Sequence, residues 1–135
     1  AGTKNKPIVN DSDKIPIDNY FMDGVYIRKM TMYKGTVVIG AIHKHKHMCF
    51  LLKGHLTVAH EDDIVDYIAP CYIESKPGIK RAVYALEECV FTNVFANPTN
   101  EKNIKKLEKN NVVNTYDEYY LQLENQKKID KIWVT

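Results

Sequence analysis

The sequence predicts a mainly β domain, a small sandwich or barrel, carrying an extended N-terminal arm and a helical C-terminal extension. Three observations carry that prediction. Between Asn19 and Phe95, about eight short apolar runs recur at the spacing of an all-β fold, with no helical period between them. Clusters of Gly, Pro, Asp and Lys punctuate those runs as turns. Beyond Ala96-Asn97-Pro98 the apolar residues shift to helical spacing.

Taken in order, residues 1–18 are rich in Lys, Asn, Asp and Pro, with Ile8, Val9, Ile15 and Ile17 as the only large apolar side chains. They read as an extended arm lying along a sheet or a partner. The expected barrel spans residues 19–97. Its strands are Val25–Met32, opened by Asp23-Gly24 and closed by Lys34-Gly35, then Thr36–Ile42 and His47–Leu52 up to the tight turn Lys53-Gly54. Leu56–His60 alternates in polarity and ends at Glu61-Asp62-Asp63. Ile64–Ile68 and Cys71–Glu74 flank Ala69-Pro70, and Ala82–Leu86 and Cys89–Phe95 follow the Lys76-Pro77-Gly78 turn.

The extension, residues 98–135, opens with a helix capped at Thr99 or Asn100, carrying Ile104 and Leu107 and ending at Asn110-Asn111. Thr115-Tyr-Asp-Glu118 has the form of a capping box, in which the Thr and Glu side chains satisfy free amides of the first turn. The helix it starts aligns Tyr116, Tyr119, Tyr120 and Leu123 as a docking stripe. Ile129–Val134, with Trp133, is expected to form a last strand or an anchoring tail.

A chain of 135 residues is one domain with room for a single core. It is 44% hydrophobic and 27% charged, with a formal net charge of +2 and its acids and bases interspersed. That distribution lacks the concentrated basic face of a nucleic-acid binder. No apolar run approaches the roughly 20 residues of a membrane span, and the polar opening Ala1-Gly-Thr-Lys-Asn-Lys6 has no signal-peptide core. Cys49, Cys71 and Cys89 are odd in number and scattered. No disulfide framework is expected, and the expected compartment is a reducing one, the cytoplasm.

Gly35 to Gly54 concentrates the chemistry, with His43, His45 and His47 at two-residue spacing. On an extended strand all three would face one way, and imidazole is both a common metal ligand and a group that titrates near neutrality. A solvent-facing polar hairpin would give the same pattern, since Lys44 and Lys46 alternate with the histidines.

The glycines of this stretch act as rulers. From Gly35, five residues lead to Ala41, then His43, three further residues to His47, and six more to Gly54. This spacing resembles the first motif of the cupins, G(x)5HxH(x)3,4E(x)6G, with Ala41 in place of the first histidine and His47 in place of the glutamate. Lys76-Pro77-Gly78-Ile79-Lys80-Arg81 resembles the second motif, G(x)5PxG(x)2H(x)3N, with the proline displaced by one. Arg81 stands where the family has its last metal-ligating histidine, and Ala85 replaces the asparagine. The resemblance covers about residues 25–95 and implies a double-stranded β-helix, or jelly-roll, barrel. The run from Lys76 to Val94 more narrowly resembles small cupin-like proteins of phages and prophages, for which the resemblance implies no activity; a phage source would place the chain in the host cytoplasm or the virion.

The resemblance places the matched side chains at the open mouth of the barrel and leaves three functions open. The first is a divalent metal ion (Zn, Fe, Ni or Mn) on His43 and His47, helped by His45, Cys49 or water. Arg81 in the fourth ligand position does not bind metal. The second is a metal-free site for a small anion, in which Arg81 and Lys80 face partly protonated His43 and His47, and Tyr26, Tyr67, Tyr72 and Tyr84 line the walls. The third is assembly, as a dimer or a phage-particle component, through the arm and the Tyr-rich helix. A cysteine nucleophile is not expected. Cys49 lies only two residues from His47 along a strand, and Glu87 and Glu88 would raise the Cys89 thiol pKa. His55 and His60 read as surface residues.

Overall fold

A computed structural model of the chain describes residues 8–10, 15–61 and 63–134. Residues 1–7 and 11–14 of the expected arm, and the side chain of Trp133, lie outside the described residues. The strands are β1 (Ile8–Asn10), β2 (Ile17–Met22), β3 (Gly24–Met32), β4 (Val37–Ile39), β5 (Ile42–His43), β6 (His47–Lys53) and β7 (His55–His60). They continue as β8 (Asp63–Ile68), β9 (Cys71–Ser75), β10 (Ala82–Ala85), β11 (Cys89–Asn97) and, between the helices α1 (Ile104–Asn111) and α2 (Tyr116–Val134), the short β12 (Val112–Val113).

Two five-stranded sheets face each other, in the orders β1-β4-β10-β7-β8 and β2-β3-β11-β6-β9, and β12 pairs with β5 in a third, two-stranded ladder. Every pairing in the large sheets is antiparallel except that of β1 with β4, which is parallel. In β3, β6 and β7 the buried residues fall on alternate positions, as a sheet buried on one face requires. Met30, Met32, Val38, Leu51, Leu56, Val58, Ala85 and Cys89 form the main core between the sheets. A second cluster, Tyr26, Phe95 and Leu107, fastens α1 to the barrel.

Gly54 shows why the turn between β6 and β7 needs glycine. Its φ is +94°, and a Cβ there would lie 2.6 Å from the Cys89 sulfur. Both the left-handed backbone and the close approach exclude a side chain.

The strand series between residues 24 and 97 follows the sequence reading, with instructive differences. The single strand expected over Thr36–Ile42 is divided at Gly40–Ala41, where Gly40 N–H donates to Arg81 O at 2.9 Å. The boundary expected at residue 18 falls within β2, because Ile17–Met22 pairs residue by residue with Val25–Met30.

The first helix starts later than expected. Asn100 takes φ +52° and its Oδ1 accepts from Gly24 N–H at 2.8 Å, so Asn103 becomes the cap and accepts from Lys106 N–H at 3.1 Å. The Thr115 hydroxyl caps Glu118 N–H at 3.2 Å, while the Glu118 carboxylate reaches back to Asn114 N–H rather than to Thr115 itself. The strand or tail expected over Ile129–Val134 is instead the end of α2. No Gly or Pro interrupts residues 116–134, and bonds such as Gln126 to Asp130 knit successive turns, so the helix propagates through the β-branched residues. Of the Tyr stripe, Tyr119 packs over the turn at Gly78, whereas Tyr116 and Tyr120 remain exposed.

Candidate functional site

Cross-strand register stacks the inner face of the β2-β3-β11-β6-β9 sheet in rows. The floor row, Met30, Phe91, Leu51 and Cys71, is apolar. The next row, Arg28, Asn93, Cys49 and Ile73, places a cation, an amide and a thiol on positions that should be greasy. Above it Tyr26 pairs with Phe95, and His47 pairs with Ser75. Met30 and Phe91 of the floor, the row above it, and Ser75 face a cavity of about 360 Å³ between the sheets. Arg28, Cys49 and Asn93 line it from this sheet, and Val38, Val58 and Arg81 from the other side.

His43 and His47 meet here, with ring centroids 4.4 Å apart. His43 lines the cavity. His47 is buried behind it, its ring 4.5 Å from that of Phe95. His47 Nε2–H donates to Asn93 Oδ1 at 2.9 Å, and the same oxygen accepts from the Cys49 thiol at 3.1 Å. The Nδ1 atoms of both histidines are buried and make no hydrogen bond. On the opposite wall Arg81 Nη1–H donates to the buried Ser75 hydroxyl at 2.9 Å.

These surroundings fix the charges. Burial, then His47, Arg81 and Arg28, push the His43 pKa down to about 3. Burial also lowers His47, against the opposing Asn93 hydrogen bond. Burial pushes the Cys49 thiol up to about 12, although Arg81 works the other way. The mouth expected to owe its charge partly to protonated His43 and His47 therefore owes it to arginines: both imidazoles are neutral near pH 7, and the guanidiniums of Arg28 and Arg81 stay charged.

His45 does not join the cluster. A bend at Lys44–His45 separates β5 from β6, so the parity argument stops at His43, and His45 Nε2 instead lies 3.1 Å from Asn110 O at the end of α1. Lys80 is exposed, its Nζ 3.5 Å from Asn114 O, outside the cavity that Arg81 enters. Tyr72 and Tyr84, expected to line the pocket, take the outward parity of β9 and β10 and are 72% and 41% exposed. Tyr67 does line the cavity, and so does His60, expected at the surface. The sequence reading did not select Arg28, Asn93 or Ser75. The signal for Arg28 and Asn93 was a polar residue on the buried parity of an otherwise apolar strand.

The resemblance to the cupin motifs implies a metal ion at this position. Among the described residues no group of three or more His, Cys, Asp or Glu is arranged to hold one. The donors present fit such an ion poorly: His47 Nε2 is engaged by Asn93, and two guanidiniums stand close enough to His43 to lower its pKa.

No family model matches the chain, and no curated protein sequence matches it. Solved structures do. An RmlC-like cupin family protein with a double-stranded β-helix fold from Methanocaldococcus jannaschii is 16% identical, with a TM-score of 0.54 over 66% of this chain and 86% of that one. An uncharacterized double-stranded β-helix protein from Klebsiella pneumoniae gives 13%, 0.55, 67% and 83%. A transcriptional regulator from Vibrio cholerae gives 19%, 0.53, 62% and 51%. The chain thus has the cupin double-stranded β-helix fold. Neighbours this different in description show why the fold alone names no activity.

Proposed function

We propose that the barrel mouth is a metal-free binding site for a small anionic molecule, a carboxylate or a phosphate. One observation carries this reading: Arg28 and Arg81 line a single cavity from its two walls, beside a neutral His43. Arginine presents a planar fork of donors that matches an oxyanion. Lys76 adds a third cation, and of the carboxylates at the rim, Asp63 and Glu74, the latter is already paired with Lys46. An imidazole held near 3 and a thiol near 12 keep their neutral forms at pH 7, which suits binding better than proton transfer.

The test is calorimetric titration with acetate, butyrate and inorganic phosphate, with and without a chelator. Binding of at least one anion is expected, unchanged by the chelator. It should weaken about tenfold or more in Arg81→Gln and in Arg28→Gln, the loss of one charged hydrogen bond. Stoichiometric metal in protein prepared without an affinity tag, together with chelator-sensitive binding, would replace this reading with the metal site on His43, His47 and Cys49.

A second reading, association with another copy of the chain, has its own support. On the outer face of the sheet ending in β9, Phe50 and Tyr72 pair in register, and Leu52 beside them is 57% exposed. An edge strand with an apolar outer face is a surface that partners cover. Light scattering should give twice the chain mass, falling to a single chain mass in Tyr72→Asp; a single chain mass for the parent protein excludes this reading.

A further inference from the structure

A second cavity, about 530 Å³, lies between the barrel and the α1–β12 segment. Its inner wall is the aromatic and aliphatic cluster of Tyr26, Phe95 and Leu107, completed by Val112 and Val113. Lys105, Glu108 and Glu118 also border it. The two cavities are not independent, because Arg28, Ala41 and His43 line both.

Ala41 stands in that shared wall, and Ile42 beside it is fully buried. A methyl group at 41, two residues from His43, leaves space that a larger side chain would fill. The polar end of the combined space is the arginine-lined mouth; the end beneath α1 has ring faces and branched aliphatics on its inner wall and charged and amide side chains, Glu108 and Glu118 among them, along its border. We propose that the two cavities form one bipartite site for an elongated amphiphilic carboxylate, whose head meets Arg28 and Arg81 and whose hydrocarbon tail passes Ala41 into the space under α1. This rests on the anion-binding reading and adds the class of ligand to it.

Chain length separates the two claims. Butyrate reaches only the mouth, whereas octanoate extends four methylenes further. Each buried methylene is worth several-fold in affinity, so octanoate should bind at least about tenfold more tightly than butyrate. Ala41→Phe should remove that gain, to within about twofold. Val113→Phe fills the far chamber from the other wall and should act in the same way, so the comparison survives if either variant folds poorly. Thermal unfolding of each variant without ligand identifies such a failure.

Equal affinity for butyrate and octanoate in the parent protein overturns the bipartite site and leaves anion binding standing. A chain-length gain that persists in both variants also overturns it, because the tail then lies elsewhere. If neither carboxylate binds, the bipartite site falls; if acetate and inorganic phosphate also fail to bind, the anion-binding reading falls with it.

Discussion

Stability should fall steadily as the pH is lowered from about 6.5 towards 3, and His43 should account for much of the slope. In the unfolded chain its imidazole titrates near its ordinary 6.5; in the fold, burial, His47, Arg81 and Arg28 hold it near 3. Between those values the unfolded state binds more protons than the native one, so each unit of acidification favours unfolding. The limit is about 1.4 kcal/mol per unit for one fully shifted group. His47, lowered mainly by burial, adds in the same direction. Above pH 6.5 the term is constant, because neither state carries the proton. Denaturant midpoints at pH 7, 5 and 4 measure the effect. His43→Phe keeps a ring against His47 and Phe95 and replaces a nitrogen that makes no hydrogen bond, so it should fold and show a shallower slope. Parallel slopes in the two proteins would mean that folded His43 accepts a proton as readily as a free histidine.

Asn93 should be the most costly residue to truncate among the polar groups of the site. Its Oδ1 is the shared acceptor for His47 Nε2–H and the Cys49 thiol, in a position only 7% exposed. Asn93→Ala leaves His47 Nε2 and the Cys49 sulfur only each other, 3.4 Å apart, a penalty of about 1–3 kcal/mol in denaturant titration. Asn93→Asp keeps an acceptor in place and brings a carboxylate beside His47. It should recover part of the stability and raise the His47 pKa, a change visible in the pH dependence of the imidazole proton resonances. A loss below about 0.5 kcal/mol in Asn93→Ala would show that His47 and Cys49 find other acceptors.

The strands that could be read from the chain are the apolar runs bounded by turn residues. β7 alternates, β6 and β11 are largely apolar runs, and Gly54 and Gly78 mark turns that only glycine fits. β2 was hidden because Asp18 and Asn19 are polar and its exposed Tyr20 and Met22 give no clean alternation. β12 has two residues, and its pairing with β5 is a tertiary contact that no local pattern encodes. Ile129–Val134 is rich in β-branched residues, yet cooperative extension of α2 outweighs that propensity.

At the site, glycine spacing and strand parity were enough to bring His43 and His47 together. The same parity misplaced His45, because a bend between strands resets the alternation. Arg28 and Asn93 come from strands distant in sequence, and no motif ties them to the histidines. The protonation states depend on burial and on guanidiniums from β3 and from the residue just before β10, which exist as neighbours only after folding.

The connection between the two histidines has a consequence for motion. The Lys44 amide donates to Asn111 O at 2.7 Å, the Lys44 ammonium to Lys109 O at 2.5 Å, and His45 lies against Asn110 O. Three successive carbonyls at the last turn of α1 are thereby held by the segment that separates His43 from His47, with positive charge at the helix end where the dipole favours it. The helix and this segment should consequently open as one unit rather than separately, and hydrogen exchange should give the amides of α1, β12 and Lys44 a single opening free energy. The roof of the second cavity and the strand bearing His43 are, in that sense, one moving part.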